Sequence, residues 1–201
     1  MNDEELRQRF EYSNGVLRNK LNITDADELE NQSYQMSAKK GVQILQSGFK
    51  VKSISDLNKI HKMMFGELFD WAGENRTYEL SKNFKHNGKT YLHGFLPSSL
   101  IDTSSVYINN MITSLPKGKC SAHQYAELLD SINDLHPFRE GNGRSSKVFL
   151  QCLAQEHGQA IDYPRKNSGL ILAENNADVN ALSKMIDVQD LEPQKEKDLH
   201  L

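Results

Sequence analysis

His136-Pro137-Phe138-Arg139-Glu140-Gly141-Asn142-Gly143-Arg144 sets a proton acceptor, a carboxylate, a glycine-flanked turn and a guanidinium in consecutive positions. The helix before it opens on a Ser121/Gln124 capping box, carries Tyr125, Leu128, Leu129, Ile132 and Leu135 on one face, and delivers His136 at its C-terminal end. A second helix begins near Asn142 to Arg144, carries Val148, Phe149, Cys152 and Leu153, and stops at Gly158. Between them, two glycines can aim successive N–H groups at one point, and the helix start adds partial positive charge. That combination is a hole for the anionic oxygens of a nucleotide diphosphate or triphosphate. Glu140 stands at its edge as the candidate Mg2+ ligand, because Mg2+ accepts one protein carboxylate alongside phosphate oxygens and water. Arg144 can grip a pair of phosphate oxygens with its planar fork. His136 is the base whose ordinary pKa lies nearest neutrality, suited to taking a proton from an incoming hydroxyl. Phe138 reads as the anchor of the loop to the core, and Pro137 as a stiffener of the helix exit.

Upstream, Thr24 with Asp25, Asp27 and Glu28 predicts the cap and acidic first turn of a helix running to Gly48. Ile54, Leu57, Ile60, Met64 and Leu68 form the next helical stripe, ending at Asp70-Trp71-Ala72-Gly73. From Arg76 to Phe95 the pattern turns extended, with the hairpin dipeptide Asn87-Gly88 in its middle. Pro97-Ser98 opens a further helix through Ile101, Ile108 and Ile112, closed by Leu115-Pro116-Lys117-Gly118, and a last amphipathic segment spans Asp178 to Val188. His61 reads as structural; His86 and His93 read as solvated or facing a partner.

The chain has 201 residues, 37% of them hydrophobic, and a formal net charge of −3. This composition predicts one domain over residues 1–188 and a charged, flexible tail over 189–201. A dedicated nucleic-acid binder is usually strongly basic, so direct nucleic-acid binding is not expected. No apolar run approaches the ~20 residues of a membrane span. The acidic opening Met1-Asn2-Asp3-Glu4-Glu5-Leu6 does not read as a signal peptide. Cys120 and Cys152 lack metal-ligand spacing and read as free thiols of a reducing, cytoplasmic setting.

The stretch from His136, continued to position 147, resembles the signature of the Fic (filamentation induced by cAMP) family, His-x-Phe-x-(Asp/Glu)-Gly-Asn-Gly-Arg-x-x-Arg. Only the last position departs, where this chain has Lys147. Leu21 to Ala26, Ile60-His61 through Gly73, Arg76 and the lead-in Asn133 also resemble small bacterial toxin-type members. The resemblance implies an all-α Fic fold, a helical bundle with one β-hairpin flap beside the active site. It implies a protein adenylyltransferase, which moves AMP from ATP, with Mg2+, to a Ser, Thr or Tyr hydroxyl of a target protein. By position, His136 would be the base, Glu140 the metal ligand, and Gly141, Asn142, Gly143, Arg144 and Lys147 the nucleotide cradle. Lys82 and Asn83 would start the flap near the nucleotide, and Thr90, Tyr91, Leu92 and His93 would dock the target strand. DNA gyrase or topoisomerase IV is indicated as target by relatedness alone.

Lysine at 147 keeps a charge but loses the bidentate fork, which predicts weaker nucleotide orientation or a changed donor preference. The family's inhibitory pattern (Ser/Thr)-x-x-x-Glu-(Gly/Asn) has no full match: Leu29 breaks the stretch from Thr24 to Glu28, and Leu170 occupies the Ser/Thr position before Glu174-Asn175. Restraint in trans by a small antitoxin carrying that pattern is therefore expected. Two other readings stand beside adenylyl transfer. One is a Fic-type transferase of phosphate, UMP or phosphocholine, or a deAMPylase. The other, from a different class, is a non-catalytic module that senses nucleotide.

Overall fold

Helix α1 (Asp3–Phe10) leads into a turn that brings Glu11 opposite Leu17. Helix α2 (Ala26–Gln46) follows; Asp25 caps it by accepting from the Glu28 N–H at 2.9 Å, one residue later than the expected Thr24. Its inner face carries Ser33, Ser37 and Gly41, small residues that let helices approach closely. A Cβ on Gly41 would meet Val148 at 3.2 Å, so α2 lies tight against the helix that follows the signature loop. The computed structural model describes residues 3–164 and 168–192.

Helix α3 (Ser55–Phe65) buries Leu57, Ile60, His61, Met64 and Phe65. Strands β1 (Ser81–His86) and β2 (Lys89–Gly94) form the antiparallel hairpin, in a register that pairs Lys82 with His93 and Phe84 with Tyr91. Asn87 and Gly88 both take positive φ, 48° and 75°, as a two-residue hairpin turn requires. Helix α4 (Ile101–Thr113) precedes α5 (Ala122–Leu135), whose Ser121/Gln124 capping box forms as read. Helix α6 (Asn142–Glu156) buries Phe149, Leu150, Cys152 and Leu153. The core gathers these faces around Ile60, Phe65, Ile132, Phe138 and Phe149, all essentially inaccessible.

The C-terminal part differs from the sequence expectation. Strand β3 (Gln159–Asp162) pairs antiparallel with β4 (Asp187–Asp190), a second small sheet where one hairpin was expected. Two helices lie between these strands: α7 (Ser168–Asn175), which was not foreseen, and α8 (Val179–Met185), which is shorter than the expected segment. Four-residue strands joined across such a distance leave no alternation to read. Residues 189 and 190, assigned to the tail, belong to β4; Pro193 and the Lys195–Asp198 charge run lie outside the described residues. Among the described residues no helix is long and apolar enough to cross a membrane.

Candidate active site

The signature loop is held from inside by its own asparagine. Asn142 accepts the Phe138 N–H at 2.9 Å and donates back to the Phe138 carbonyl at 2.7 Å, and the side chain is buried. Read from sequence as part of the phosphate cradle, Asn142 instead clamps the loop, leaving only its main-chain N–H to face an anion. Phe138 is fully buried and stacks on His61 with ring centroids 3.8 Å apart.

His61 is a structural rivet. Its Nδ1 accepts the Gly73 N–H at 2.9 Å and its Nε2 donates to the Glu140 carbonyl at 2.9 Å, which fixes the neutral Nε2–H form. Burial depresses its pKa to about 4; the Glu140 carbonyl opposes this and the Arg144 charge adds to it. A depressed histidine stabilises the fold above its unfolded pKa of about 6.5, and that contribution is lost as the pH falls toward 4. The parent should therefore lose roughly 2–3 kcal/mol of unfolding free energy between pH 7 and pH 4.5 from this group alone. Denaturant titrations of the parent and His61→Asn at both pH values check this; equal pH dependence in the two proteins would sink it.

His136 ends α5 in the left-handed region, with φ 37° and ψ 59°. Its Nδ1 lies 3.2 Å from the Asn133 carbonyl oxygen, which can only accept, so Nδ1 carries the proton and Nε2 is bare. That Nε2 is buried and has no hydrogen-bond partner. Burial, reinforced by the Lys82 charge, pulls the pKa down to about 3, so the ring stays neutral. Arg76 fixes the main chain here, its buried guanidinium donating to the carbonyls of His136 (2.9 Å), Tyr78 (2.9 Å), Leu135 (3.4 Å) and Leu96. It thereby joins the end of α5 to both roots of the hairpin. Sequence reading noted Arg76 without this role, because its acceptors are carbonyls of segments far apart in the chain.

Glu140 sits between two cations. One oxygen pairs with Lys82 Nζ at 2.8 Å; the other accepts the Gly141 N–H at 3.0 Å and lies 3.9 Å from Arg144. Burial alone would raise its pKa, but Lys82, the Gly141 N–H and Arg144 outweigh that and hold it at about 2. Arg144 donates to Ser33 (2.8 Å) and Ser37 (3.2 Å) of α2 and lies over the rings of Tyr34 and Phe65, each at 4.8 Å. Gly141, at φ 84°, is the N-cap of α6 and brings no side-chain cap, so the first N–H groups of the helix are left for another acceptor.

Those groups open on a cavity of about 720 Å³, whose walls include Gly15, Ser33, Tyr34, Gly143, Arg144 and Glu174. Lys147 lines it too, its ammonium 5.2 Å from the Tyr163 ring. Glu174 enters from α7; burial pushes its carboxyl up to about 7 against the attraction of Lys147. The α2 wall was not foreseen, since only tertiary packing brings it to the loop; Glu174, weighed in the sequence only as the end of an incomplete inhibitory pattern, lies in the cavity. His136 does not line this cavity, and Glu140, which does, links the two. Of the flap residues, Lys82 reaches the site through Glu140, whereas Asn83 lies on the opposite, exposed face of β1. Thr90 and Leu92 are exposed, Tyr91 stacks on Phe84 at 5.2 Å, and His93 turns inward with its Nε2 buried and unpartnered.

The Fic/DOC family model matches residues 52–154, which include the signature loop and the hairpin. The chain belongs to the Fic/DOC family. It is 30% identical over 153 residues to the protein adenylyltransferase VbhT of Bartonella schoenbuchensis, covering 75% of this chain and 31% of that protein. It is 30% identical over 154 residues to the "Probable protein adenylyltransferase Fic" of Escherichia coli K12, covering 74% and 72%. This Fic chain thus spans about a third of VbhT's length and most of the E. coli protein's. Among solved structures, BepC of Bartonella tribocorum with bound AMPPNP is similar at a TM-score of 0.73 and 19% identity, covering 92% of this chain and 98% of that one. The N-terminal Fic domain of a Bep effector from Bartonella quintana with bound ADP gives 0.75 and 21%, covering 91% and 96%. At such identities the likeness carries the Fic fold.

Proposed function

We propose that this Fic chain is a protein adenylyltransferase that moves AMP from ATP to a hydroxyl of another protein. The observation that carries the reading is His136 Nε2, a buried, bare nitrogen beside Glu140 and the uncapped start of α6. Relatives named as protein adenylyltransferases support the same chemistry. The cavity between α2, α6 and α7 takes the nucleotide, with its phosphates at the N–H groups of the α6 start and under the Arg144 guanidinium. His136 Nε2 accepts the proton of the target hydroxyl while that oxygen attacks the α-phosphorus; the phosphorus–oxygen bond to pyrophosphate breaks, and AMP stays on the target. Arg144 and the α6 dipole stabilise the charge that develops on the phosphate oxygens.

Among the described residues no group of three or more metal-ligating side chains occurs, and the carboxylate next to the start of α6 is Glu140. An ionised Glu140 at the cavity rim fits a Mg2+ that arrives on a phosphate chain. Such an ion would supply neutralisation of the phosphate charge.

Label transfer to protein from α-³²P-ATP with Mg2+ in a bacterial lysate tests the proposal, with γ-labelled ATP alongside. Label from the α-position alone supports adenylyl transfer; label from the γ-position alone reassigns the chain to phosphoryl transfer. The same assay locates restraint. An antitoxin in trans leaves the purified chain active and suppresses it on addition. Because Glu174 lies in the cavity with Lys147, a rise of more than about tenfold in Glu174→Gln would place restraint in α7 instead.

Lys147→Arg tests the departure from the family signature. Arginine restores a fork for two phosphate oxygens, and transfer should rise severalfold, by about 1 kcal/mol of better orientation. Steady-state rates at subsaturating ATP decide it, and a variant no faster than the parent removes the argument.

A further inference from the structure

Phe95 is buried but stands outside the main hydrophobic core cluster. Its ring lies flat on the His136 imidazole, with centroids 3.5 Å apart and planes 14° apart. His93, on β2, meets the same ring edge-on at 4.9 Å. A buried phenylalanine thus has two imidazoles as its ring neighbours, and one of them is the proposed base. The main chain holds the stack in place. Phe95 N–H donates to the Leu80 carbonyl at 3.1 Å, and Leu96 N–H donates to the Asp134 carbonyl at 3.0 Å. The hairpin root and the last turn of α5 are therefore tied together immediately beside the ring pair.

The His136 ring has one hydrogen bond, from Nδ1 to the Asn133 carbonyl. One bond at the edge of a ring does not by itself fix the ring's plane, and the flat face of Phe95 restricts it. We infer that Phe95 is the positioning residue for His136, setting the plane in which Nε2 meets the target hydroxyl. Because Phe95 directly continues β2, the strand and the base move as one body. A target segment laid along β2 is then placed relative to Nε2 by the same residue that orients the base. Phe95 carries no proton-transferring group and acts through the plane of the His136 ring. The inference rests on the reading of His136 as base, and it concerns orientation, so loss of Phe95 lowers turnover and spares nucleotide binding.

Phe95→Met keeps apolar volume and removes the flat plate, while Phe95→Tyr keeps the plate. Three readings are taken on the parent and both variants: ring ¹⁵N–¹H correlations of His136, ATP affinity by calorimetry, and label transfer. The parent should show a single Nδ1–H tautomer, and Phe95→Met a mixture of both tautomers. ATP affinity should stay within about twofold while the transfer rate at saturating ATP falls about 10–100-fold. Phe95→Tyr should return the parent's ring signals and most of its rate. A Phe95→Met protein with the parent's ring signals and undiminished rate overturns the inference, as does a loss confined to ATP affinity. If the parent transfers no label, the adenylyl reading fails, yet the ring signals still decide whether Phe95 orients His136.

Discussion

Replacing His136 with alanine or asparagine is expected to lower label transfer by about 10²–10⁴-fold, the usual range for a positioned general base. Neither change should abolish nucleotide binding, because His136 does not line the cavity. The two variants separate chemistry from folding. Residue 136 sits at φ 37°, a region that asparagine tolerates and alanine enters with strain of about 1 kcal/mol. His136→Asn should therefore unfold closer to the parent than His136→Ala does, while both lose transfer alike. The histidine ring contributes one hydrogen bond, the Phe95 stack and its own burial, and a folded protein is expected in each case. Calorimetric ATP titration, thermal unfolding and α-label transfer on the same preparations check the three statements. Retained transfer in either variant would eliminate His136 as the base.

This loop can be recognised from sequence, while much of its working cannot. Nine contiguous positions carry the base, the carboxylate, both glycines and the guanidinium, and each type has a local reason to be there. The capping box at Ser121 and the Asn87-Gly88 turn are equally local, and both form as read. What the sequence hides is set by segments distant in the chain. Arg76 takes its acceptors from the end of α5 and from both ends of the hairpin. Ser33 and Ser37 look like ordinary helix residues until α2 meets Arg144. Asn142 matches the signature by type, yet its side chain faces into the loop; residue identity does not reveal which way a turn aims a side chain. The β3–β4 pair joins two four-residue strands with two helices between them, and neither strand alone could have predicted it.

The two signature glycines should respond to a methyl group in opposite ways. Gly141 has φ 84°, and a Cβ there would fall 2.7 Å from the Phe65 ring and 3.2 Å from His61 Nε2. Phe65 is fully packed and His61 is held at both nitrogens, so neither can retreat. Left-handed strain of about 1–2 kcal/mol adds to about 1–3 kcal/mol of overpacking. Gly141→Ala should thus be destabilised by roughly 2–5 kcal/mol, a fall in melting temperature of about 5–15 °C for a chain of this size. Gly143 lies one residue into α6, and a Cβ there meets no atom within 4 Å. Its alanine variant should keep or slightly gain stability, since alanine favours helix over glycine by up to about 1 kcal/mol. The open space beside Gly143 is the cavity itself, so that methyl group stands where phosphate oxygens must approach the helix start. ATP affinity in Gly143→Ala should fall about tenfold or more with the fold intact, a difference of at least ~1.4 kcal/mol in binding. Thermal unfolding and ATP calorimetry on the pair give the test. Parent-like affinity in Gly143→Ala would mean that the nucleotide does not use this helix start, and the proposed seating of the phosphates would have to be abandoned.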